Sequence, residues 1–365
     1  MLELALAAAF AVLPYAPGPH AQESAAPIRA EDAAAERLAA LQAEFRRLQE
    51  DLAKLYGEAK TDGERRALPD INLHPWSVVK PEVVAASAEF AGTPGAVPFL
   101  VWTVQMSSRT REKAEAVAAL EALVEDHASD PRTVDVAFSL RRYQRALGAE
   151  RTLEIARALE RGAPNGAAKA EFALAAVWIE DLDEAGRIAA LAALVERYPG
   201  TRGADKAAGW RFELEHLQVG MVVPELAGGT LDGGAFSLSA LRGKVVVLEF
   251  WGVNCGPCMQ KIPRTRERLG ALAGAPFAHV GVQSDHASLE TVRALAKERG
   301  ITWTTVHDRS TDGRSFGPIG TRWNLSGWPT VFLIDHEGVI RSNWATEDVL
   351  EEMLPGLLER AQAAK

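Results

Sequence analysis

Lys244-Val-Val-Val-Leu-Glu-Phe-Trp-Gly-Val-Asn-Cys-Gly-Pro-Cys258 is the stretch from which the rest of the sequence is interpreted. Residues 245–250 form an apolar, β-branched run of strand length, and Gly252 ends it. Pro257 lies in the first turn of a predicted helix, where its missing N–H has no partner to lose. Cys255 therefore stands at a helix N-terminus, where free N–H groups and the helix dipole favour a thiolate. A Cys-x-x-Cys pair in this position can close into a disulfide and reopen by exchange, so we interpret it as a redox centre.

The composition of the whole chain is that of a globular protein. Its 365 residues are 47% hydrophobic and 24% charged, enough for two or three domains. A net charge of −9 argues against nucleic acid as a partner. The chain contains two cysteines, both in the motif, which excludes a framework of structural disulfides and an internal third resolving cysteine.

A metal site is not expected. Zinc would need two further ligands near the cysteines, and His279, His286 and His307 are not at paired spacing. We interpret these histidines as surface or strand-end residues. The expected redox group is the Cys255–Cys258 disulfide itself, without a separate cofactor.

Residues 1–25 are interpreted as a signal peptide. Residues 2–13 form an apolar run of h-region length that is too short to span a bilayer, and Ala21 is a possible cleavage position. The basic n-region is missing, since Glu3 is the only early charge, so a disordered cytosolic tail is the alternative. Export predicts a periplasmic or other extracytoplasmic location.

Residues 26–100 are predicted to hold one long helix and a linker. Apolar residues of the helix follow the 3-4-3-4-3 spacing of a heptad seam, which predicts either a short coiled coil or a helix packed on its own neighbour. The seam consists of Leu38, Leu41, Phe45, Leu48, Leu52 and Leu55. Glycines and prolines interrupt residues 57–100, which predicts a linker with one short helix at 81–90.

Residues 101–217 are predicted to form consecutive amphipathic helices arranged as hairpins. The candidate helices span 110–127, 131–147, 149–161, 167–179, 183–198 and 202–217. Pro131, Pro164 and Pro199 are 33 and 35 residues apart, close to the period of a tetratricopeptide repeat. Stacked hairpins of this kind often present a surface for a protein partner, while a purely structural spacer is the alternative.

Residues 218–365 change to an alternation of strands and helices. A hairpin turn at Leu231-Asp-Gly-Gly precedes a strand at 235–239, and further strands are predicted at 277–284 and 302–307. A helix at 288–299, a hairpin at 328–344 and a closing helix at 347–361 complete the pattern. Pro263 is expected to kink or restart the helix of the motif. The alternation predicts a mixed α/β sandwich.

This C-terminal part resembles the thioredoxin-fold proteins of the TlpA-like disulfide reductase family, over about residues 219–361. Separated features carry the resemblance: Gly243-Lys244 before the strand, Phe250-Trp251 before Cys-Gly-Pro-Cys, Pro263 after it, and Trp328-Pro-Thr-Val-Phe-Leu-Ile-Asp335 further on. It implies a central mixed sheet flanked by helices, with the family's insertion between residues 277 and 307. The helical half has no comparable match.

The resemblance also implies roles within the site. Cys255 would be the attacking, partly exposed thiol, and Cys258 the more buried thiol that resolves the mixed disulfide. Pro329 would be cis and face the cysteines, so that the backbone beside it could pair with an extended substrate; an X-Pro bond has only a modest trans preference. Glu249 matches the buried acid of thioredoxin and could exchange the proton of Cys258, with an inert surface carboxylate as the alternative. Substrate contacts are expected from Trp251, Asn254, Gly256, Pro257 and Trp328.

Two positions depart from the family pattern. Asn254 stands where many relatives have tryptophan, which puts substrate preference in doubt. Lys261 stands where several extracytoplasmic reductases have glutamate. Its charge would favour a thiolate if it lay near the cysteines, but a position on a solvated helix face is the alternative.

The sequence thus predicts a thiol–disulfide oxidoreductase that reduces disulfides of extracytoplasmic proteins. The Gly-Pro dipeptide of the motif resembles the reducing members of the family, and a membrane or soluble dithiol would have to donate electrons. A thiol peroxidase is one alternative, although it would use a hydroxyl residue three positions before its cysteine, where this chain has Gly252. A non-enzymatic helical adaptor carrying a redox-sensing domain is the other.

Overall fold

The computed structural model describes residues 30–311 and 315–364, so the predicted signal peptide lies outside the described residues. Residues 30–216 are almost entirely helical. Their α-helices are α1 (Ala30–Glu58), α2 (Asp62–Ala67), α3 (Leu73–Glu89), α4 (Val97–Ser107), α5 (Ala114–Asp126), α6 (Gln144–Leu147), α7 (Ala149–Gly162), α8 (Gly166–Ile179), α9 (Glu184–Arg197) and α10 (Arg202–His216). Two 3₁₀ helices, Pro94–Ala96 and Pro131–Tyr143, lie between them. In the described ranges no helix combines the length and apolar character that crossing a bilayer requires.

The heptad seam of α1 packs within the chain. Leu41 and Leu52 are buried, and α1 lies against α3 and the first 3₁₀ helix. Leu55, at the end of the seam, is 47% exposed. The structure therefore shows the second of the two alternatives, a helix packed on its own neighbour.

The prediction of a linker at residues 57–100 is wrong. Helices α2, α3 and α4 occupy most of it, and Trp76 and Phe99 are fully buried in the same apolar core as α5 and α7. Two of the prolines misled the prediction because of where they fall, while a third, Pro81, lies inside α3. Pro75 and Pro98 lie in the first turns of α3 and α4, where a missing N–H costs no hydrogen bond, so they start helices instead of breaking them.

The predicted hairpins downstream are present. α7 packs on α8, and α9 packs on α10. One candidate differs in form, because residues 131–147 fold as the 3₁₀ helix followed by the short α6 and not as one α-helix. Asp130 caps this segment by accepting a hydrogen bond from the amide of Arg132 at 2.9 Å.

A five-stranded mixed sheet follows the helices. Its part of the chain contains β1 (Ala227–Gly229), β2 (Ala235–Ser237), β3 (Val245–Trp251), α11 (Gly256–Ala271), β4 (Phe277–Gln283), α12 (Leu289–Arg299), β5 (Thr305–His307), α13 (Pro318–Arg322), β6 (Thr330–Ile334), β7 (Ile340–Ser342) and α14 (Glu347–Ala363). The strand order is β5-β4-β3-β6-β7, and β1 and β2 form a separate antiparallel hairpin. β3 is parallel to β4 and antiparallel to β6. This is the central mixed sheet flanked by helices that the sequence predicts.

Strand β3 is the centre of this sheet, and all of its residues are buried. Val246, Leu248 and Phe250 enter one apolar cluster, whereas Val245 and Val247 enter another that α14 covers. A strand covered on both faces has an uninterrupted apolar run, as seen here. The turn that follows β3 therefore starts from a fixed position at one end of the sheet.

Helix α11 runs from that turn without a break, so the expectation that Pro263 restarts the helix is wrong. Pro263 lies on the exposed face of α11. At that position water can take the place of the backbone hydrogen bond that proline cannot make.

The helical part docks on the sheet part through α10 and α13. A Cβ on Gly209 of α10 would lie 3.1 Å from the carbonyl oxygen of Thr321, so glycine permits this close approach without a shift of the backbone. The Arg322 guanidinium lies 4.4 Å from the ring centroid of Phe212, and Asn324 donates a hydrogen bond to Glu213. These contacts place α10 beside the loop that precedes β6.

Candidate active site

Cys255 and Cys258 form a disulfide at the N-terminus of α11, with their Cα atoms 5.2 Å apart. Cys255 is the N-cap residue, and its Sγ accepts a hydrogen bond from the amide of Cys258 at 3.1 Å. The first-turn amides and the positive end of the helix dipole thus face this sulfur. Both favour negative charge on Cys255 when the disulfide is open.

The cysteines are less accessible than predicted. Cys255 is only 8% exposed and Cys258 only 4%, so the order of exposure is as expected but Cys255 is buried, not partly exposed. The reason is packing: the buried side chains of Trp251, Ala287 and Val292 form one apolar cluster with the two sulfurs.

The residues around the disulfide form an exposed rim. Asn254, Gly256 and Pro257 are all exposed, whereas Trp251 is 3% exposed and forms part of the cluster beneath. Of the predicted substrate contacts on this turn, the structure therefore presents three to solvent and places Trp251 inside the protein.

The Trp328–Pro329 peptide bond is cis, as the resemblance implies. Phe250 pairs with Thr330, which puts this peptide beside the end of β3 where the cysteine turn begins. Trp328 is half-buried and packs against the cluster around the cysteines, while its ring meets that of Phe316 edge-on at 4.9 Å.

Gly252 lies directly under Trp328. A Cβ at this position would be 3.2 Å from the Trp328 ring and 3.1 Å from an Asp285 carboxylate oxygen. A side chain at position 252 would therefore require both neighbours to move by a few tenths of an ångström.

Glu249 is buried and paired with a residue that the sequence analysis misplaced. Its Oε2 lies 3.1 Å from Nε2 of His279, and the two residues are 6% and 4% exposed. The parallel register of β3 and β4 puts Val247 opposite His279, so both polar side chains emerge on one face of the sheet. The interpretation of His279 as a surface or strand-end residue is therefore wrong. The sequence did contain a signal for this pair, because each of the two neighbouring buried strands has a polar residue in its interior.

Asp285 is a second residue that the sequence analysis missed. It is 3% exposed, and its carboxylate accepts hydrogen bonds from the amides of Val253 and Ala287, both at 2.7 Å, and from Gln283 Nε2 at 2.6 Å. The bond to Val253 ties the turn before Cys255 to the end of β4. Its signal was weak, because an aspartate after a strand is common in ordinary turns.

A related network anchors α13. Buried Asp308 accepts hydrogen bonds from the amides of Ile319 and Gly320 at 2.9 and 2.8 Å and from Ser284 Oγ at 2.7 Å. The end of β4 therefore holds both the cysteine turn and the helix on which α10 docks.

Two positions were considered for Lys261, one near the cysteines and one on a solvated helix face, and the structure shows a different one. Its side chain is 20% exposed, and its Nζ lies 3.3 Å from Glu347 at the start of α14. Burial raises the pKa of Glu347, but the charges of Arg268 and Lys261 outweigh burial and hold that pKa below its ordinary value. Lys261 thus fastens α11 to α14. In residues 30–311 and 315–364, no group of three or more His, Cys, Asp or Glu side chains is placed to hold a metal ion.

The sheet and the cysteine pair at the helix N-terminus define a thioredoxin-fold protein, and comparison with known proteins is consistent with this class. The AhpC/TSA family model matches residues 219–343. The thioredoxin-like protein YneN of Bacillus subtilis is 32% identical over 127 residues, which cover 34% of this chain and 70% of that protein. The thiol-disulfide oxidoreductase ResA of Geobacillus kaustophilus is 31% identical over 148 residues, covering 38% and 80%.

Through its C-terminal part the chain belongs to this family of thioredoxin-like thiol–disulfide oxidoreductases. Among solved structures, the thioredoxin domain of a thiol-disulfide oxidoreductase from Bacteroides vulgatus superposes with a TM-score of 0.35 and 25% identity, covering 39% of this chain and 98% of that one.

Proposed function

We propose that the protein is an extracytoplasmic thiol–disulfide oxidoreductase that reduces disulfides in other proteins. The observation that carries the proposal is the Cys255–Cys258 disulfide closing the first turn of α11, with Cys255 Sγ accepting an amide hydrogen bond. A sulfur that accepts an amide hydrogen bond at a helix N-terminus is a good leaving group, and the same hydrogen bond favours the thiolate over the thiol once the disulfide is reduced.

The proposed reaction begins with the reduced dithiol. The Cys255 thiolate attacks one sulfur of a substrate disulfide, so that a mixed disulfide forms and one substrate thiolate leaves. Cys258 then loses its proton and attacks Cys255 Sγ, which releases the second substrate thiolate. The substrate gains two electrons and leaves as two thiolates, which take up two protons from water; the proton of Cys258 passes through its acceptor to water, and the protein is left with the Cys255–Cys258 disulfide. An external dithiol must reduce that bond before the next cycle.

Glu249 is the proposed acceptor of the Cys258 proton. It lies two residues before Trp251 on the same face of β3, and Trp251 packs on the disulfide. The hydrogen bond from His279 would orient the carboxylate within its buried site. His279 is thus proposed as a positioning residue.

Trp328 and Pro329 are proposed to guide the substrate. The backbone beside Pro329 lies at the end of β3 and next to the cysteine turn, where an extended segment could pair with it. Asn254, Gly256 and Pro257 are proposed to contact the same segment from the exposed rim.

The activity is tested with an insulin-reduction assay, using dithiothreitol as electron source. Wild type should accelerate precipitation of the insulin B chain, and Cys255→Ser should fall to the background rate. Cys258→Ser should accumulate the mixed disulfide, because the attacking thiol remains but resolution is lost. Glu249→Gln should lengthen the lifetime of the mixed disulfide by at least about tenfold, as expected for loss of a general base. Wild-type protein that is no faster than background would refute the proposal.

The direction of transfer is a separate measurement. A redox potential near the roughly −270 mV of thioredoxin would agree with a reductase, whereas a value near −120 mV would reverse the assignment to an oxidase. Fractionation of the source cells tests the proposed location, with recovery in the cytosol as the contrary result.

A thiol peroxidase is the second candidate, favoured by the match to the AhpC/TSA family model. The sequence and the packing at position 252 oppose it, because the residue three before Cys255 is a glycine without a hydroxyl and a side chain there would press on Asp285 and Trp328. Peroxide-dependent oxidation of the reduced protein decides between them: a reaction faster with hydrogen peroxide than with insulin would favour the peroxidase.

A further inference from the structure

Two neighbouring cavities join the helical part of the chain to the segment around Pro329. The first, of about 630 Å³, lies between the second 3₁₀ helix, α8 and α10. The second, of about 260 Å³, lies between α10 and the sheet. Trp210 and Glu213 of α10 line both. The surface that the two cavities line on either side of these residues is called here the aromatic groove, and its main walls are Phe138, Arg141, Trp178, Trp210, Trp323 and Trp344.

The second cavity opens at the active end of the sheet. Ser326 and Thr330 line it, and these residues bracket the Trp328–Pro329 peptide. Trp344, on its other side, is held beside the start of β6 by the hydrogen bond from the Ala345 amide to the Val331 carbonyl at 2.8 Å. A chain lying in this cavity is therefore next to the segment along which the substrate is proposed to run.

Aromatic side chains are exposed at both ends of the groove. Phe138 is 80% exposed at the helical end, and Trp344 is 60% exposed at the sheet end. Between them, the rings of Trp178 and Trp210 meet edge-on at 4.6 Å. Large exposed aromatics along a concave surface are typical of sites that bind other proteins.

The helical end of the groove carries an excess of positive charge from Arg141 and Arg142, while Glu213, where the two cavities meet, adds one carboxylate whose hydrogen-bond donor Asn324 is neutral. The guanidinium of Arg141 lies 6.0 Å from the Trp178 ring and that of Arg142 lies 5.8 Å from the Phe138 ring. Neither arginine forms an ion pair in the described part of the chain, whereas Lys206 is neutralised by Glu171 at 3.0 Å. Two arginines without a carboxylate partner in the described residues favour acidic residues at this end of the groove, where they oppose the repulsion from the chain's net charge of −9.

We propose that the aromatic groove binds an extended segment of the protein substrate that carries acidic and large apolar residues, and so delivers the adjacent disulfide to Cys255. The inference rests on the proposed function and adds the substrate class. It gives the helical part a role in substrate choice, because the second 3₁₀ helix, α8 and α10 supply the first cavity and one wall of the second.

The test uses three synthetic peptides with the same disulfide-closed ring. One ends at the ring, one continues into a tail of alternating glutamate and leucine or tryptophan, and one has lysine in place of each glutamate. The measured quantity is the ratio of kcat/KM with a tail to kcat/KM without it. Wild type should show a ratio of about ten for the acidic tail, equivalent to about 1.4 kcal/mol, which decreases as salt is added. The lysine tail should give a ratio near one.

Arg141→Glu and Phe138→Ser should each bring the acidic ratio close to one, and Arg145→Glu should leave it unchanged. Arg145 is the matched control, since it is an exposed arginine of the neighbouring α6 that does not line the groove. An equal loss in Arg145→Glu, or equal ratios for the two tails in wild type, would overturn the inference.

Binding of the acidic tail alone, labelled with fluorescein and free of cysteine, separates this inference from the proposed function. Fluorescence anisotropy should show saturable binding to wild type that is at least tenfold weaker in Arg141→Glu. Binding without peptide reduction would leave the groove inference standing and sink the reductase; reduction without tail binding would do the opposite. Sedimentation that shows a dimer disrupted by Arg141→Glu would assign the groove to a second copy of the chain and also overturn the inference.

Discussion

Breaking the Glu249–His279 pair should destabilise the sheet much more than removing it completely. The single changes are Glu249→Leu and His279→Leu, and the double variant combines them. Leucine is close in size to both side chains, so the comparison changes polarity more than volume. The pair lies inside the sheet face covered by α11 and α14, away from solvent.

The expected magnitudes follow from what each change leaves behind. Without His279, the Glu249 carboxyl group loses its hydrogen-bond partner, and a buried unsatisfied group costs about 2 kcal/mol. Without Glu249, the His279 ring has no partner at either nitrogen in the described residues, since Nδ1 already has none, and the cost is again about 2 kcal/mol. The double variant leaves no unsatisfied polar group and should lose only about 1 kcal/mol. The coupling energy is then about 3 kcal/mol.

Native-state hydrogen exchange of the β3 and β4 amides measures these losses where they occur, and urea unfolding at pH 7 supplies the global value. Trp303, whose ring meets that of His279 edge-on at 5.2 Å, provides a control. Trp303→Leu should destabilise the protein to the same extent with or without Glu249. Additive losses for Glu249→Leu and His279→Leu would refute the reasoning, because they would mean that the two groups do not depend on one another.

Two further changes test how the site is held. Asp285→Ala removes the acceptor for the amides of Val253 and Ala287 and should lower the free energy of unfolding by about 3 kcal/mol. Hydrogen exchange at the Val253 amide should become faster. Unchanged exchange at that amide would contradict the role given to Asp285. Glu347→Gln should weaken the attachment of α14 to Arg268 and reduce stability at neutral pH. Because folding lowers the pKa of Glu347, this difference from wild type is complete above the ordinary value of 4.5 and should disappear as the pH falls through the lower folded value. Urea titrations at pH 7 and pH 3 check it, and an equal difference at both pH values would count against the ion pair.

Local features of the sequence determined the cysteine site. An apolar run, a glycine, and a proline two residues after a potential helix cap specify strand, turn and helix start within residues 244–258. Cysteines three residues apart on such a turn are within bonding distance whatever else the chain does. The alternation of strands and helices likewise predicted the mixed sheet, since each element buries a face with its own period.

The linker prediction was wrong because the effect of a proline depends on its position relative to the start of a helix. Pro75 and Pro98 looked like breakers, yet they occupy first turns, and only the packing of Trp76 and Phe99 shows that helices begin there. A residue's identity does not say which turn of a helix it will occupy.

Only the tertiary structure decided the partners of the polar residues and the shape of the surface. Glu249 meets His279 because β3 and β4 pair in one register, and a shift of one residue would send the two side chains to opposite faces. The sheet end of the aromatic groove exists because α10 docks on α13 and brings Trp210 into the same cavity wall as Trp344, more than a hundred residues away in the chain. Such contacts depend on how complete elements pack against each other, and no local stretch of sequence contains that information.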